Sequence, residues 1–163
     1  MIMNMPDKAP EPAAGEKKEN NGFDILLVED NPSYVDLTLR ALQEIANHHL
    51  KIEIASDGQQ ALDMLLDEHA PRRPRLVILD IKLPKFSGIE VLRQVRAGES
   101  TRLLPVVVLS SSRVVEDVAE CYALGANSYV VRPMNFPSYL KIISDIINYW
   151  LVINEPPPAP EKT

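Results

Sequence analysis

Leu76-Val77-Ile78-Leu79-Asp80-Ile81-Lys82-Leu83-Pro84 is the stretch on which the reading of this chain turns. Its first four residues are apolar throughout, the pattern of a strand covered on both faces, and the run ends abruptly on an acid. Working outward, similar short runs recur at residues 25–28, 51–55, 106–109 and 128–131. The runs at 25–28 and 106–109 are again wholly apolar. The run at 51–55 alternates Ile52 and Ile54 with charged residues, as an edge strand does. Amphipathic stretches at 33–47, 59–69, 88–97, 114–124 and 136–153 fall between and after these runs, each long enough for a helix. Asn31-Pro32 opens the first, Asp57-Gly58 precedes the second and Gly125 closes the fourth. Strand and helix therefore alternate five times, which predicts an α/β fold with right-handed crossovers, a parallel sheet and helices on both faces.

The bulk numbers bound this reading. A length of 163 residues suits one domain with trailing ends, and 45% hydrophobic with 25% charged residues is ordinary for a globular protein with a real core. A formal charge of -6 argues against general affinity for nucleic acid, whose binding rests on Lys and Arg neutralising phosphates. The single Cys121 cannot form an internal bridge and reads as a helix core thiol in a reducing compartment. The N-terminal residues lack a basic end followed by an apolar stretch, and Lys141, Ser144, Asp145 and Asn148 break the most apolar segment. A cytoplasmic location without membrane contact is expected. Residues 1–22 and the Pro-rich 154–163 read as tails.

In a doubly wound sheet, ligands sit beyond the carboxyl ends of the strands. The residues there are Glu29 and Asp30 after the first strand, Asp80 after the third, Ser110 after the fourth and Arg132-Pro133 after the fifth. Three converging carboxylates repel one another unless a cation sits among them, and hard oxygen ligands suit Mg²⁺. A carboxylate so placed can attack a phosphoryl group when a metal and a fixed cation neutralise its equatorial oxygens. Asp80 is the candidate acceptor, with Ser110 as a hydrogen-bond donor and Arg132 as the cation. Taken singly, a strand-end Asp is commonly a cap or turn residue, and Ser110 in Ser110-Ser111-Ser112 could cap the next helix.

Together, Leu-Leu-Val-Glu29-Asp30-Asn, Val-Ile-Leu-Asp80-Ile-Lys-Leu-Pro84-Lys-Phe-Ser-Gly88, Val-Val-Leu-Ser110-Ser and Ser-Tyr129-Val-Val-Arg132-Pro133 resemble the receiver domain of bacterial two-component response regulators. The resemblance implies a flavodoxin-like (βα)5 fold over residues 23–153 with strand order 2-1-3-4-5, an order the doubly wound folds of this family exemplify. It implies Asp80 as phosphoacceptor, direct Mg²⁺ ligation by Asp30 and Asp80, ligation by Glu29 through water, and a further ligand in the Lys82 backbone carbonyl. It makes Ser110 and Tyr129 a switch pair and implies a cis bond before Pro133. Arg132 departs from the family's usual Lys. Arg is longer and planar where Lys is a compact point charge, so the geometry at the phosphoryl group and the coupling to Tyr129 must differ.

At about 100° per residue, the apolar positions of the last helix, from Tyr139 to Ile153, cover an arc of roughly 200°, about twice the usual buried stripe. Such a surplus marks an interface, and a two-fold homodimer through the fourth and fifth helices is expected. The segment Asn148-Tyr-Trp-Leu-Val-Ile-Asn-Glu-Pro-Pro-Pro158, with Asn31-Pro32-Ser33 and Leu37-Thr-Leu-Arg-Ala-Leu42, is similar to regulators that serve phytochrome-type kinases. That similarity implies a bilin-carrying histidine kinase, a bacteriophytochrome, as phosphodonor. An enzyme of the haloacid dehalogenase class would need a second Asp where Lys82 stands. Flavin binding would need Ser, Thr and Gly in place of Glu29-Asp30-Asn31-Pro32. The alternative left standing is a receiver-like module that binds partners without phosphorylation because of Arg132.

Overall fold

The computed structural model describes residues 22–45 and 50–158. Five strands, β1 (Ile25–Val28), β2 (Ile52–Ala55), β3 (Leu76–Leu79), β4 (Val106–Ser110) and β5 (Ser128–Val131), form one sheet in the order β2-β1-β3-β4-β5. Every pair is parallel. Between and after them run α1 (Pro32–Ile45), α2 (Gly58–Leu66), α3 (Gly88–Ala97), α4 (Val115–Ala123) and α5 (Phe136–Ile147), the last continued by a π-helical segment, Asn148–Ile153. The expected flavodoxin-like (βα)5 order is thus the one observed.

Side chains alternate across a strand, so each central strand feeds two cores. Leu26, Val28, Val77, Leu79, Val106 and Val108 point to the layer made by α2, α3 and α4. Ile25, Leu27, Leu76, Ile78, Val107 and Leu109 point to the layer made by α1 and α5. This explains why β1, β3 and β4 as far as Leu109 are apolar at every position, and why all three strands are wholly buried while the edge strand β2 is largely exposed. Cys121 lies in the first core as expected, and burial with nearby Asp117 and Glu120 pushes its thiol up to about 11.

The sequence limits are shifted where side chains cap helices. Asp57 accepts from the Gln60 N–H and starts α2 at Gly58. Arg73 ends that helix at Leu66 rather than at 69, its Nη1 donating to the carbonyls of Leu65 and Asp67 at 2.6 and 2.8 Å. Ser87 and Glu90 form a capping box that starts α3. The expected end of the first helix at 47 and all of the expected tail 1–22 except Gly22, which is buried, lie outside the described residues, as do the last residues of the C-terminal tail; residues 155–158 are exposed and belong to no helix or strand.

The last helix is not one regular α-helix to Ile153. It widens after Ile147, and the Asn154 N–H donates to the Tyr149 carbonyl five residues back at 2.7 Å. Arg75 reaches the same segment, its Nη2 donating to the Leu151 carbonyl at 2.7 Å. Of the wide apolar arc, Tyr139, Ile143, Ile146 and Ile147 are buried, whereas Tyr149, Val152 and Ile153 are exposed. Among the described residues no helix is long and apolar enough to cross a membrane.

Candidate functional site

Strand register decides what meets at the carboxyl edge. Val28 is level with Leu79, so Glu29 and Asp80 leave the sheet side by side, and the Asp80 N–H donates to the Val28 carbonyl at 3.0 Å. On the other side Ser110 is level with Val131, and the Arg132 N–H donates to the Ser110 carbonyl at 2.9 Å. Glu29, Asp30 and Asp80 each offer a carboxylate oxygen within 4.8 Å of the others. Glu29 and Asp80 are buried and Asp30 is exposed, so the cluster opens to solvent on one side. Two buried acids and one solvent-facing acid form a set of hard oxygen ligands suited to a divalent cation that retains water.

The loop after β3 is pressed against this cluster by two glycines. A Cβ on Gly88 would lie 2.1 Å from the Asp80 carbonyl oxygen, and one on Gly58 would lie 2.0 Å from that of Phe86. Neither position has room for a side chain. Lys85 takes a positive φ of 65° in this loop, and its Nζ reaches the Asp57 carboxylate at 2.8 Å. The Lys82 side chain is exposed, and its amide N–H points back to Asp80 Oδ1 at 3.4 Å.

Arg132 is buried and turned into the cluster. Its Nη2 donates to the Glu29 carboxylate and, at 3.2 Å, to the Leu109 carbonyl, and lies 3.7 Å from Asp80 Oδ2. Its guanidinium carbon stands 3.9 Å from the centroid of the Tyr34 ring. Tyr34 in turn faces Tyr139 at 6.0 Å, whose hydroxyl shares a hydrogen bond of 2.6 Å with Thr38. The Arg132 Nε–H is buried without a partner. A buried unsatisfied donor costs about 1–3 kcal/mol, so this guanidinium gains when an acceptor arrives.

Burial raises the Glu29 carboxyl above its ordinary value, and the Asp80 charge adds to the rise. The Asn31 N–H at 3.0 Å and Arg132 oppose it without reversing it. Asp57 is held below its ordinary value, first by Lys85 and then by the Gln60 N–H.

Ser110 and Tyr129 are both tied to Ser112. The Ser110 Oγ accepts from the Ser112 N–H at 3.3 Å, and the Tyr129 hydroxyl donates to the Ser112 carbonyl at 3.0 Å. The Ser112 hydroxyl donates to Asp117 at 2.6 Å and accepts from the Val114 N–H at 3.3 Å. The helix-capping role open to Ser110 is not taken up: α4 starts after Val114 with no side-chain cap, and Ser112 instead closes the turn before it. Burial raises the Tyr129 hydroxyl above its ordinary value against the pull of these serines.

One expectation is corrected. The bond between Arg132 and Pro133 is trans, as no cis peptide occurs among the described residues. The trans isomer is favoured by about 0.5–1 kcal/mol at X-Pro bonds, and Arg132 reaches Glu29 and Leu109 with it in place. Tyr34, Asp57, Lys85 and Ser112 were not singled out from sequence. Asp57 alone carried a signal, as the acid preceding the second helix.

A family model described as the response regulator receiver domain matches residues 25–144. The chain is 41% identical over 137 residues to the probable methanogenesis regulatory protein FilR2 of Methanothrix harundinacea, covering 83% of this chain and 88% of that one. It is 34% identical over 131 residues to the response regulator Rcp1 of Synechocystis sp., covering 78% and 88%. Among solved structures, the phosphorylated cyanobacterial phytochrome response regulator RcpA matches with a TM-score of 0.76 and 32% identity, over 83% of this chain and 99% of that one. The Mn²⁺-bound form of Rcp1 matches with a TM-score of 0.76 and 31% identity, over 84% and 100%.

Proposed function

This chain belongs to the response regulator receiver family, and from that premise we propose that it is switched by phosphorylation of Asp80 in a Mg²⁺-dependent reaction. The observation that carries the reading is the convergence of Glu29, Asp30 and Asp80 within 4.8 Å, with Arg132 3.7 Å from Asp80. A divalent ion is supported by the cluster's oxygen donors and by Mn²⁺ in a relative; Mg²⁺ would suit the site as a hard cation that favours carboxylate and phosphoryl oxygens.

In the proposed reaction an Asp80 carboxylate oxygen attacks the phosphorus of a phosphohistidine. The P–N bond breaks, its electron pair stays on the histidine nitrogen, and an acyl phosphate forms on Asp80. When bound, the metal supplies positive charge to the phosphoryl oxygens. Asp30 and Asp80 would hold it directly, Glu29 through water, and the Lys82 carbonyl would complete the protein ligands. Arg132 supplies a fixed cation with an unsatisfied Nε–H. The Ser110 hydroxyl would turn from Ser112 to the phosphoryl group, and Tyr129 would follow.

The receiver unit is taken as residues 23–153, with tails on either side. Similarity to the cyanobacterial phytochrome response regulator RcpA supports a bilin-carrying histidine kinase as donor. That partner carries with it a cytoplasmic location. Output would pass through protein contacts, including a homodimer through α4 and α5. Exposed Val115 and Tyr122 on α4, and Tyr149, Val152 and Ile153 beyond α5, support that surface. Sedimentation at tens of micromolar that shows only monomer, with and without phosphodonor, removes the dimer.

The switch is tested by incubating wild type and Asp80→Asn with Mg²⁺ and acetyl phosphate, or with beryllium fluoride. Wild type should gain one phosphoryl group and Asp80→Asn none. A second reading, a module that binds partners unphosphorylated, is favoured by one observation, the commitment of Arg132 to Glu29. It takes over if wild type forms no adduct.

A further inference from the structure

Arg132 and the divalent ion want the same carboxylates. The guanidinium already sits on Glu29 and within 3.7 Å of Asp80, so the acidic cluster carries its own counter-cation. An incoming divalent ion meets a like charge at close range in a buried setting, where screening by water is weak. The ion binds well only if the guanidinium gives up Glu29 or tilts away from it. What decides that freedom is the surface behind Arg132, and that surface is the face of Tyr34.

We propose that Tyr34 is a positioning residue that clamps the Arg132 guanidinium against Glu29 and thereby weakens divalent-metal binding at the acidic cluster. The clamp is built from three elements. Tyr34 comes from the first turn of α1 and stands half-buried. Tyr139 of α5 lies behind it, and the bond from Tyr139 to Thr38 ties α5 to α1. Arg132 comes from the end of β5, with its aliphatic stem buried. A planar guanidinium stacked on an aromatic face keeps its plane, and so keeps its Nη2 edge on Glu29. An ammonium has no plane to hold. The clamp therefore acts on Arg132 and would not act in the same way on a Lys at this position. The unpaired Nε–H fits the same picture: the ring, not a full set of hydrogen bonds, fixes the orientation.

The inference rests on the metal reading above, so its test measures metal binding without any phosphodonor. Mn²⁺ and Mg²⁺ are titrated calorimetrically into the full chain as wild type, Tyr34→Phe, Tyr34→Leu, Arg132→Lys and Tyr34→Leu with Arg132→Lys. Tyr34→Leu should bind the ion about threefold more tightly, the scale of one modest cation–π contact, and Tyr34→Phe should stay near wild type. In the Arg132→Lys background the Tyr34→Leu step should change affinity by less than half as much on a logarithmic scale. A structural role of Tyr34 alone would not depend on residue 132 in this way.

A second readout needs no metal. The Arg132 Nε–H proton of wild type should be shifted upfield by the Tyr34 ring in NMR spectra, and Tyr34→Leu should abolish the shift. If Tyr34→Leu melts too low to titrate, Tyr34→Met carries the same expectations. Unchanged affinity in Tyr34→Leu while wild type binds Mn²⁺, or an Arg132 signal indifferent to Tyr34, overturns the clamp and leaves the switch standing. No Mn²⁺ binding by any of the proteins overturns both.

Discussion

Two carboxylates stand one strand apart at the same edge of the sheet, Glu29 after β1 and Asp57 after β2, and each has one basic partner. The Glu29 and Arg132 side chains are 3% and 5% exposed, whereas Lys85, the partner of Asp57, is 60% exposed. Their acids move in opposite directions, Glu29 up through burial and Asp57 down through Lys85 and the Gln60 N–H. The contrast in burial separates the roles of the two pairs. A buried pair gains little net stability over an apolar pair of the same shape, and losing one partner strands the other charge. The Asp57 side chain is buried as well, 8% exposed, but its base stands in solvent, and this pair with its helix cap holds a loop in place.

The largest break in this comparison should come from Arg132→Gln. Without metal it should lose about 3–5 kcal/mol in urea denaturation, because Glu29 and Asp80 remain buried without their cation. Saturating Mn²⁺ should recover part of that loss. Next comes Gly58→Ala, which drives a Cβ into the Phe86 carbonyl and should cost about 1–3 kcal/mol while shifting the loop that packs on Asp80. Asp57→Ala removes the cap and the Lys85 partner together, and should lower the melting temperature by about 2–4 °C.

The two acids also give stability opposite dependences on pH. The stabilisation from Asp57 is complete above its ordinary value of 3.8 and is lost as pH falls through its lower folded value. Glu29 works the other way in the metal-free protein. Above its ordinary value of 4.5 the unfolded chain ionises first, so stability falls as pH rises until the raised folded value is passed. Urea midpoints followed across acid pH should lose the first dependence in Asp57→Asn and the second in Glu29→Gln.

Much of this edge was legible from sequence because it depends on strand ends. Once Leu76–Leu79 and Ile25–Val28 are strands in one parallel sheet, Asp80 and Glu29 must emerge together, whatever the loops do. The same logic placed Ser110 and Arg132. What the sequence left hidden depends on side-chain direction. Tyr34 reads as one more apolar helix position, and only the packing of α1 on α5 turns its ring toward Arg132. Lys85 reads as a surface charge until the positive φ of the β3–α3 loop aims it at Asp57. The π-helical turn at Asn148–Ile153 leaves no composition signal, since it changes which carbonyl each N–H chooses and not the residues that do so.

Ser112 looked like filler in a run of three serines, yet each of its polar groups is engaged: N–H with Ser110, carbonyl with Tyr129, hydroxyl with both Asp117 and Val114. It is a junction with no spare terminal. A change that frees the Ser110 hydroxyl leaves a buried N–H on Ser112 unsatisfied, and that debt falls at once on the tyrosine and on the first turn of α4. Ser112 thus ties the end of β4 to β5 and to the first turn of α4, beside the Tyr129 N–H that donates to the Tyr122 hydroxyl at 3.1 Å.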